Sequence, residues 1–279
     1  MNYFVIQCYG KERILREAKF CVLSLLKFIK GDNNFKIILY TDNRDFFKDI
    51  NEYVSFEQLT AEMVQAWKGR HNFVHRVKIK MLLDFAGKYN GKFIYLDSDT
   101  WFTASPEKLF DLIDNKNALM HQSEARLDSK ANPIIKKVHR FVKNNTFKIS
   151  HGSEIKVPGN YFMWNAGVIG LETAAKPTVE KVLELTDAML DAYQKHVMEQ
   201  LAFSYFLQHE FSVHRTDDVI AHYWQYCTPA EEPMKELLIR SENKPVEERI
   251  DAVHSFNWKD IKLPEKKKGL RKIIKRIFG

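Results

Sequence analysis

Short apolar runs alternate along this chain with longer stretches in which apolar residues return every three or four positions. The runs 3–9 and 35–41 are rich in β-favouring side chains, and each ends at a turn-forming residue. Between them, residues 11–30 place their apolar side chains on one helical face. A strand, a helix and a strand at this spacing predict a right-handed βαβ unit, the start of a nucleotide-binding half-sheet.

The stretch 92–102 carries the strongest chemical signal. Its apolar run, Phe93 to Leu96, predicts a strand buried on both faces, as in a mostly parallel sheet. Two carboxylates follow at Asp97 and Asp99, and ligands of open α/β sheets lie at the carboxyl ends of strands. Carboxylates at i and i+2 suit a hard divalent cation, so we predict a metal site. The alternative is an ordinary turn, in which aspartate is common.

The rest of the chain continues the alternation. Further helices are predicted over 72–88, 105–113, 133–143, 177–194 and 198–208, and further strands near 54–56, 118–121 and 161–171. The polar segment 122–158 is either a lid or acceptor-recognition insertion, or a plain surface excursion. No repeat or linker interrupts the pattern, so we predict one α/β domain over 1–263 and a separate tail over 264–279.

Composition narrows the class of protein. A hydrophobic fraction of 45% and an aromatic fraction of 13% exclude a disordered chain. The three cysteines, Cys8, Cys21 and Cys227, are widely spaced, which favours a reducing compartment over a disulfide framework. The first residues do not have the pattern of a signal peptide, and no apolar run approaches a membrane span.

The net charge of +7 comes from the C-terminal end, because 266–279 holds seven of the 43 basic residues and no acid. The rest of the chain is formally neutral, so nucleic-acid binding is not expected. The tail's apolar residues follow helical spacing and its basic residues fill the other face, which predicts an amphipathic helix for an anionic membrane interface. A solubilising tail and a helix packed on the domain are the alternatives.

Other patterns add candidate residues. Arg76 and Lys80 lie four apart on the predicted helix before the central strand, where they form a solvated face or meet an anionic ligand. Asn165-Ala166-Gly167 interrupts a predicted strand, and glycine there indicates a bulge or a close ligand. Glu199 lies in the first turn of a predicted helix, where the helix dipole favours an acid even without a functional role. A lone histidine such as His222 is more often a packing residue than a ligand.

Together these residues resemble the nucleotide-sugar-dependent glycosyltransferases of the GT-A fold, most closely glycosyltransferase family 8. Phe93 to Thr100 is similar to the family's strand with its DxD motif, and Asn165 to Val168 to its segment beside the donor sugar. Arg76 is similar to its donor-binding cation, and Glu199-Gln200 to its acid–glutamine pair at the reacting sugar. The resemblance implies a single Rossmann-like domain with a mixed central sheet and flanking helices.

The resemblance also implies a UDP-sugar donor with Mn²⁺ or Mg²⁺. The metal ligands would be Asp97, Asp99 and His222, a set that favours Mn²⁺ because it includes an imidazole. The donor-binding residues would be Asp42, Arg76, Lys80, Asp97, Ser98, Asn165, Ala166 and Gly167. Glu199 would be the base of an inverting enzyme, and Gln200 would line the sugar's reactive face in a retaining one, the outcome that the resemblance favours.

The expected activity is a hexosyl transfer to a glycan, lipid-linked or lipopolysaccharide-type acceptor, as in polysaccharide biosynthesis. With the predicted tail, the expected location is the cytoplasmic, inner face of a membrane, attached peripherally. One alternative is a haloacid-dehalogenase-type phosphatase, in which Asp217 and Asp218 would supply the later acid pair. The other is a non-catalytic, membrane-bound sugar-nucleotide-binding protein.

Overall fold

A computed structural model describes residues 1–129, 133–150 and 153–262. Its strands are β1 (Asn2–Cys8), β2 (Phe35–Thr41), β3 (Val54–Gln58), β4 (Lys92–Leu96), β5 (Thr100–Phe102), β6 (Asn117–Met120), β7 (Ser123–Arg126), β8 (Phe147–Lys148), β9 (Glu154–Ile155), β10 (Phe162–Trp164), β11 (Val168–Glu172), β12 (Ser212–Arg215) and β13 (Ile220–His222). Its helices are α1 (Glu12–Ile29), α2 (Ala61–Lys68), α3 (Arg76–Lys88), α4 (Glu107–Asp111), α5 (Pro133–Asn144), α6 (Lys176–Ala192), α7 (Met198–Glu210), α8 (Cys227–Ser241) and α9 (Val246–His254). A 3₁₀ segment covers Arg44–Tyr53.

Seven strands form the central sheet, in the order β12-β6-β11-β4-β1-β2-β3. Strands β4, β1, β2 and β3 run parallel to one another, whereas β11 is antiparallel to both β4 and β6. Strand β12 runs parallel to β6. The sheet is therefore mixed, which confirms the predicted fold class.

Apolar side chains on both faces of the central strands hold this sheet between two layers of helices. In β1 and β4, Val5 and Tyr95 belong to the core shared with α3, α6 and α7. Phe4 and Ile94 belong to the core shared with α1, α8 and α9. Burial on both faces explains why these strands read as continuous apolar runs in the sequence.

Element bounds follow the sequence closely where the pattern is local. Strand β2 has the predicted bounds, and α1 begins and ends within one residue of its prediction. The helix predicted from residue 72 begins only at Arg76, and Asn72 adopts a positive φ angle of 50° that a helix cannot include. The interruption at 165–167 separates β10 from β11, which pair with β7 and β4 respectively.

Two further predictions concern membrane association. None of the helices that the structure describes is both long and apolar enough to cross a membrane. The predicted tail, 264–279, lies outside the described residues, so its separation from the domain stays a prediction.

Candidate functional site

Two acids and a histidine meet at the carboxyl end of β4. Asp97 and Asp99 follow the strand directly, and antiparallel pairing of β13 with β5 sets His222 opposite Thr100. The Nε2 atom of His222 lies 3.1 Å from Oδ1 of Asp99 and 4.0 Å from Oδ2 of Asp97. One ligand atom from each residue lies within 4.8 Å of the other two. The structure thus brings together the three residues predicted to share a metal ion.

The Asn165–Gly167 turn sets the orientation of the imidazole. Asn165 Oδ1 accepts a hydrogen bond from the backbone N–H of Gly167 at 2.9 Å and lies 2.9 Å from Nδ1 of His222. Because an amide oxygen only accepts, Nδ1 carries the hydrogen and Nε2 points toward the acids. A Cβ at Gly167 would lie 2.3 Å from Cε1 of His222, so only glycine leaves room for the ring.

The contact between Asp99 and His222 favours the charged form of both groups. Burial opposes charge on both groups, but the hydrogen bond and charge of the partner prevail. The pKa of His222 is therefore raised and that of Asp99 is lowered. A divalent cation ligated by Nε2 would have to displace the proton on that atom, so cation binding would release a proton.

A buried lysine on α3 forms the neighbouring wall. Lys78 Nζ lies 3.2 Å from Oδ1 of Asp97 and 3.1 Å from Oε1 of Glu199, and donates a hydrogen bond to the carbonyl of Ala166 at 3.0 Å. Burial lowers the pKa of Lys78, but the two carboxylates outweigh that effect and raise it. The Tyr95 hydroxyl also donates to Asp97. Lys78 therefore stays charged and holds two acids in place.

Sequence reasoning missed Lys78, although a signal was present. The lysine sits in the apolar stripe of α3, next to Val77 and at helical spacing from Met81, Leu82 and Phe85. A lysine on the buried face of a helix requires partners for its charge. That requirement distinguishes it from the other basic residues of the same helix.

The structure does not bring Arg76 and Lys80 to this site. Arg76 forms a bidentate ion pair with Asp187 of α6, at 2.8 and 2.9 Å, and donates to the carbonyl of Trp67. Lys80 is half-buried and does not line the cleft around the acids. Two positions along a helix correspond to a rotation of about 160°, so both residues face away from Lys78. The donor-binding role predicted for them gains no support from this geometry.

The acids open into a cleft of about 260 Å³ between α1, α3 and the ends of β1 and β4. Its other lining residues are Gln7, Tyr9, Arg13, Ile14, Glu17, Val74, His75, Lys78, Tyr95 and Ser98. Asp42 lies at the end of the adjacent strand β2, where its Oδ2 accepts a hydrogen bond from the backbone of Gly10 at 2.9 Å. It does not line the cleft itself.

Helix α1 contributes an acid and a cation that the sequence did not single out. Glu17 accepts from Ser98 Oγ at 3.2 Å and pairs with Arg13 at 2.6 Å. Burial, aided by the charge of Asp99, raises the pKa of Glu17 to about 7. Both residues lie in the first turns of α1, which the sequence predicted only as an amphipathic helix. The packing of α1 on the sheet brings them to the cleft.

The two candidate catalytic residues open α7 but differ in environment. Glu199 is buried against Lys78, whereas Gln200 is partly exposed and donates to Oε2 of Glu124 at 3.1 Å. The other oxygen of Glu124 accepts from Nδ2 of Asn165, also at 3.1 Å. Glu124 thus links the Asn165 turn to α7. Glu124 lies in the polar segment 122–158, in which the sequence pattern did not single out any functional residue.

Solved structures share the fold of this chain. No protein-family model matches the chain, and no curated protein matches it in sequence. The crystal structure of mouse xyloside xylosyltransferase 1 is similar over 77% of this chain and 85% of that one, with 14% identity and a TM-score of 0.51. The glycosyltransferase GlyE of Streptococcus pneumoniae TIGR4 is similar over 95% of this chain and 65% of its own, with 16% identity and a TM-score of 0.53.

At these identities the likeness concerns the fold. The chain has the GT-A-like fold of glycosyltransferases, with its acid–histidine cluster at the carboxyl end of the central strand β4.

Proposed function

We propose that this chain is a metal-dependent glycosyltransferase of the family 8 type, which moves a hexose from a UDP-sugar to a glycan or glycolipid acceptor. The observation that carries the proposal is the cluster of Asp97, Asp99 and His222 at the end of β4 in a GT-A-like fold. Ligands of open α/β sheets bind at this edge. The fold by itself would not imply the activity.

The donor set fits a divalent cation. Two carboxylates and an imidazole whose Nε2 is turned toward them suit Mn²⁺, and Mg²⁺ less well because it prefers oxygen ligands. A cation bound there would neutralise charge on the diphosphate as the sugar leaves. Lys78 holds Asp97 in position, and Asn165 holds His222.

The neighbouring side chains divide the rest of the work. Arg13 lines the cleft and would supply charge-assisted hydrogen bonds to the diphosphate. Lys78 would act through the acids that it holds, because its three N–H groups already face Asp97, Glu199 and the carbonyl of Ala166. In this proposal Asp42, at the end of β2, would contact the base or ribose, and Ser98, Ala166 and Gly167 would lie beside the sugar. Because Glu199 is buried against Lys78 and Gln200 is partly exposed, the arrangement favours a retaining outcome, with Gln200 at the reacting face.

The phosphatase alternative receives less support. Asp217, which would have to join the acid pair, forms an ion pair with Arg215 instead. Among the described residues, the cluster able to hold a cation does not include it. A non-catalytic binding protein would share the cluster, so turnover has to separate it from an enzyme.

The first test is thermal unfolding of the full chain with UDP, Mn²⁺ or both. We expect the unfolding temperature to rise most with both together, because each ligand would complete the site of the other. Asp99→Asn should abolish this joint effect. Stabilisation by Mg²⁺ with phosphate analogues but not by UDP with Mn²⁺ would favour the phosphatase.

The second test is turnover. Hydrolysis or transfer of a UDP-sugar by the wild type, lost in Asp99→Asn, would exclude the non-catalytic alternative. The anomeric configuration of the product, read by NMR, decides between retention and inversion. An inverted product together with an inactive Glu199→Gln variant would assign the base role to Glu199.

A further inference from the structure

A second cavity lies on the other side of α1. It has a volume of about 300 Å³ and is lined by α1, the 3₁₀ segment, α8 and α9. Glu12, Arg16 and Lys19 of α1 face it, whereas Arg13 and Glu17 face the cleft with the acid–histidine cluster. The two cavities are therefore separated by one helix and share none of their lining residues.

The inner wall of this second cavity holds more positive than negative charge. Lys19 and Arg249 are 7% and 2% exposed, and both pair with Asp49, at 2.8 and 2.5 Å. One carboxylate thus serves two buried cations. The Nε atom of Arg249 is buried without a hydrogen-bond partner among the described residues. Buried charges and donors of this kind are costly unless they are paired.

The lowered pKa of Lys19 agrees with incomplete pairing of its charge. Burial lowers the pKa of its ammonium group, and the contact with Asp49 offsets only part of that effect. Phe46 adds a cation–π contact, with Nζ 4.4 Å from the ring centroid. An additional anion would stabilise the charged form of Lys19.

The rim is suited to admit a small molecule. Lys48 is exposed there, and Lys235 is paired only at 3.6 Å with Glu232. Of the acids on the rim, Glu12 is paired with Arg16, and Asp45 and Glu242 are exposed, where water screens them. Ile239 is 59% exposed beside the opening and offers an apolar surface.

We propose that this cavity is a binding site for a small oxyanion, a phosphate or carboxylate group whose apolar remainder packs on Ile239. The anion would compensate the positive charge of Lys19 and Arg249, which share the single carboxylate of Asp49. The site is independent of the proposed donor cleft, and its occupancy does not depend on glycosyl transfer.

Titration calorimetry of the full chain with inorganic phosphate, and separately with acetate, tests the proposal. We expect saturable binding that weakens about tenfold, or 1.4 kcal/mol, in Lys19→Met, which leaves one cation for Asp49. The matched control is Lys108→Gln, an exposed lysine on α4 that should bind like the wild type. Tighter binding of phosphate than of acetate would identify a phosphate ester as the ligand class, and the reverse a carboxylate.

Two results would overturn the proposal. The first is that neither anion binds saturably to the folded wild type. The second is binding that survives Lys19→Met but is lost in Lys78→Gln, because that result would place the anion in the donor cleft. If Lys19→Met does not fold, the rim variant with Lys48→Gln and Lys235→Gln replaces it. That variant should weaken binding about threefold through lost long-range attraction, and unchanged affinity would contradict the assignment.

Discussion

At the scale of single residues, the candidate site depends on a glycine. Gly167 donates its backbone N–H to Asn165, and its missing side chain leaves space for the His222 ring. Asn165 in turn holds the ring by Nδ1. The three residues form one unit that presents Nε2 to Asp97 and Asp99, so a change at the glycine should act on the histidine.

Gly167→Ala should weaken Mn²⁺ binding at least tenfold, about 1.4 kcal/mol, because the new methyl group displaces His222 from the two carboxylates. Calorimetry or the electron paramagnetic resonance signal of free Mn²⁺ measures the affinity. Gly87→Ala is the matched control, since its Cβ would meet only the end of Lys176 at 3.7 Å and α3 would gain helix propensity. Equal affinity in both variants would argue that His222 is not a ligand.

Glu17 should make stability depend on pH. Its pKa is about 7 in the folded chain, raised by burial and by Asp99 from an ordinary value of 4.5. Between these values the folded state binds more protons than the unfolded state. The contribution of Glu17 to the free energy of unfolding is therefore fully present below about pH 4.5, and it is lost as the pH rises through about 7.

We expect the unfolding free energy of the wild type, relative to Glu17→Gln, to fall by about 3 kcal/mol from pH 4.5 to pH 7.5. Urea unfolding in the presence of a chelator measures the difference without a bound cation. Glu180→Gln, which removes an exposed carboxyl on α6, should show no comparable trend. A pH-independent difference for Glu17→Gln would show that its carboxyl ionises normally.

At the scale of elements, α3 separates two uses of basic residues. On one face of the helix Lys78 contacts Asp97 in the cleft, and on another face Arg76 pairs with Asp187 of α6. The first arrangement positions acids of the site, and the second joins two helices. The same helix thus has one cation in the candidate site and one that joins it to α6.

Arg76→Gln should lower the free energy of unfolding by about 2 kcal/mol, since it removes two charge-assisted hydrogen bonds to Asp187 and leaves that carboxylate unpaired. Affinity for UDP with Mn²⁺ should not change. Asp187→Asn should cost a similar amount, and the double variant should cost less than the sum because both changes break one contact. Lower nucleotide affinity in a stable Arg76→Gln protein would instead support the ligand role predicted from the sequence.

At the scale of the whole molecule, the basic tail should attach the domain to anionic membranes. We expect the full chain to sediment with vesicles that contain phosphatidylserine and not with neutral vesicles. Lys266, Lys267 and Lys268 changed together to Gln should reduce binding by about 3 kcal/mol, or roughly a hundredfold, at low salt.

A control with Lys36, Lys108 and Lys116 changed to Gln removes three exposed charges from the domain and should bind like the wild type. High salt should weaken the attachment of the wild type. Equal loss in both triple variants would indicate attraction by overall charge and not by the tail.

The sequence by itself determined the secondary-structure elements and the position of the two acids of the site. A continuous apolar run located β2, and an apolar period near four located α1, because each pattern depends on neighbours within a few positions. Asp97 and Asp99 could be placed together because they are two residues apart at the end of a buried strand. The glycine in the 165–167 turn predicted a bulge or a close ligand, and the structure places the ring of His222 against it.

Only the tertiary structure decided which distant side chains share the site. His222 lies 123 positions from Asp99, and its place follows from the pairing of β13 with β5. Lys78 rather than Arg76 reaches the cleft because packing of α3 on the sheet sets the helix's rotation, and Glu124 depends on the pairing of β7 with β10. Strand pairing and helix rotation are settled by burying the whole apolar surface at once, and a local pattern does not contain that information.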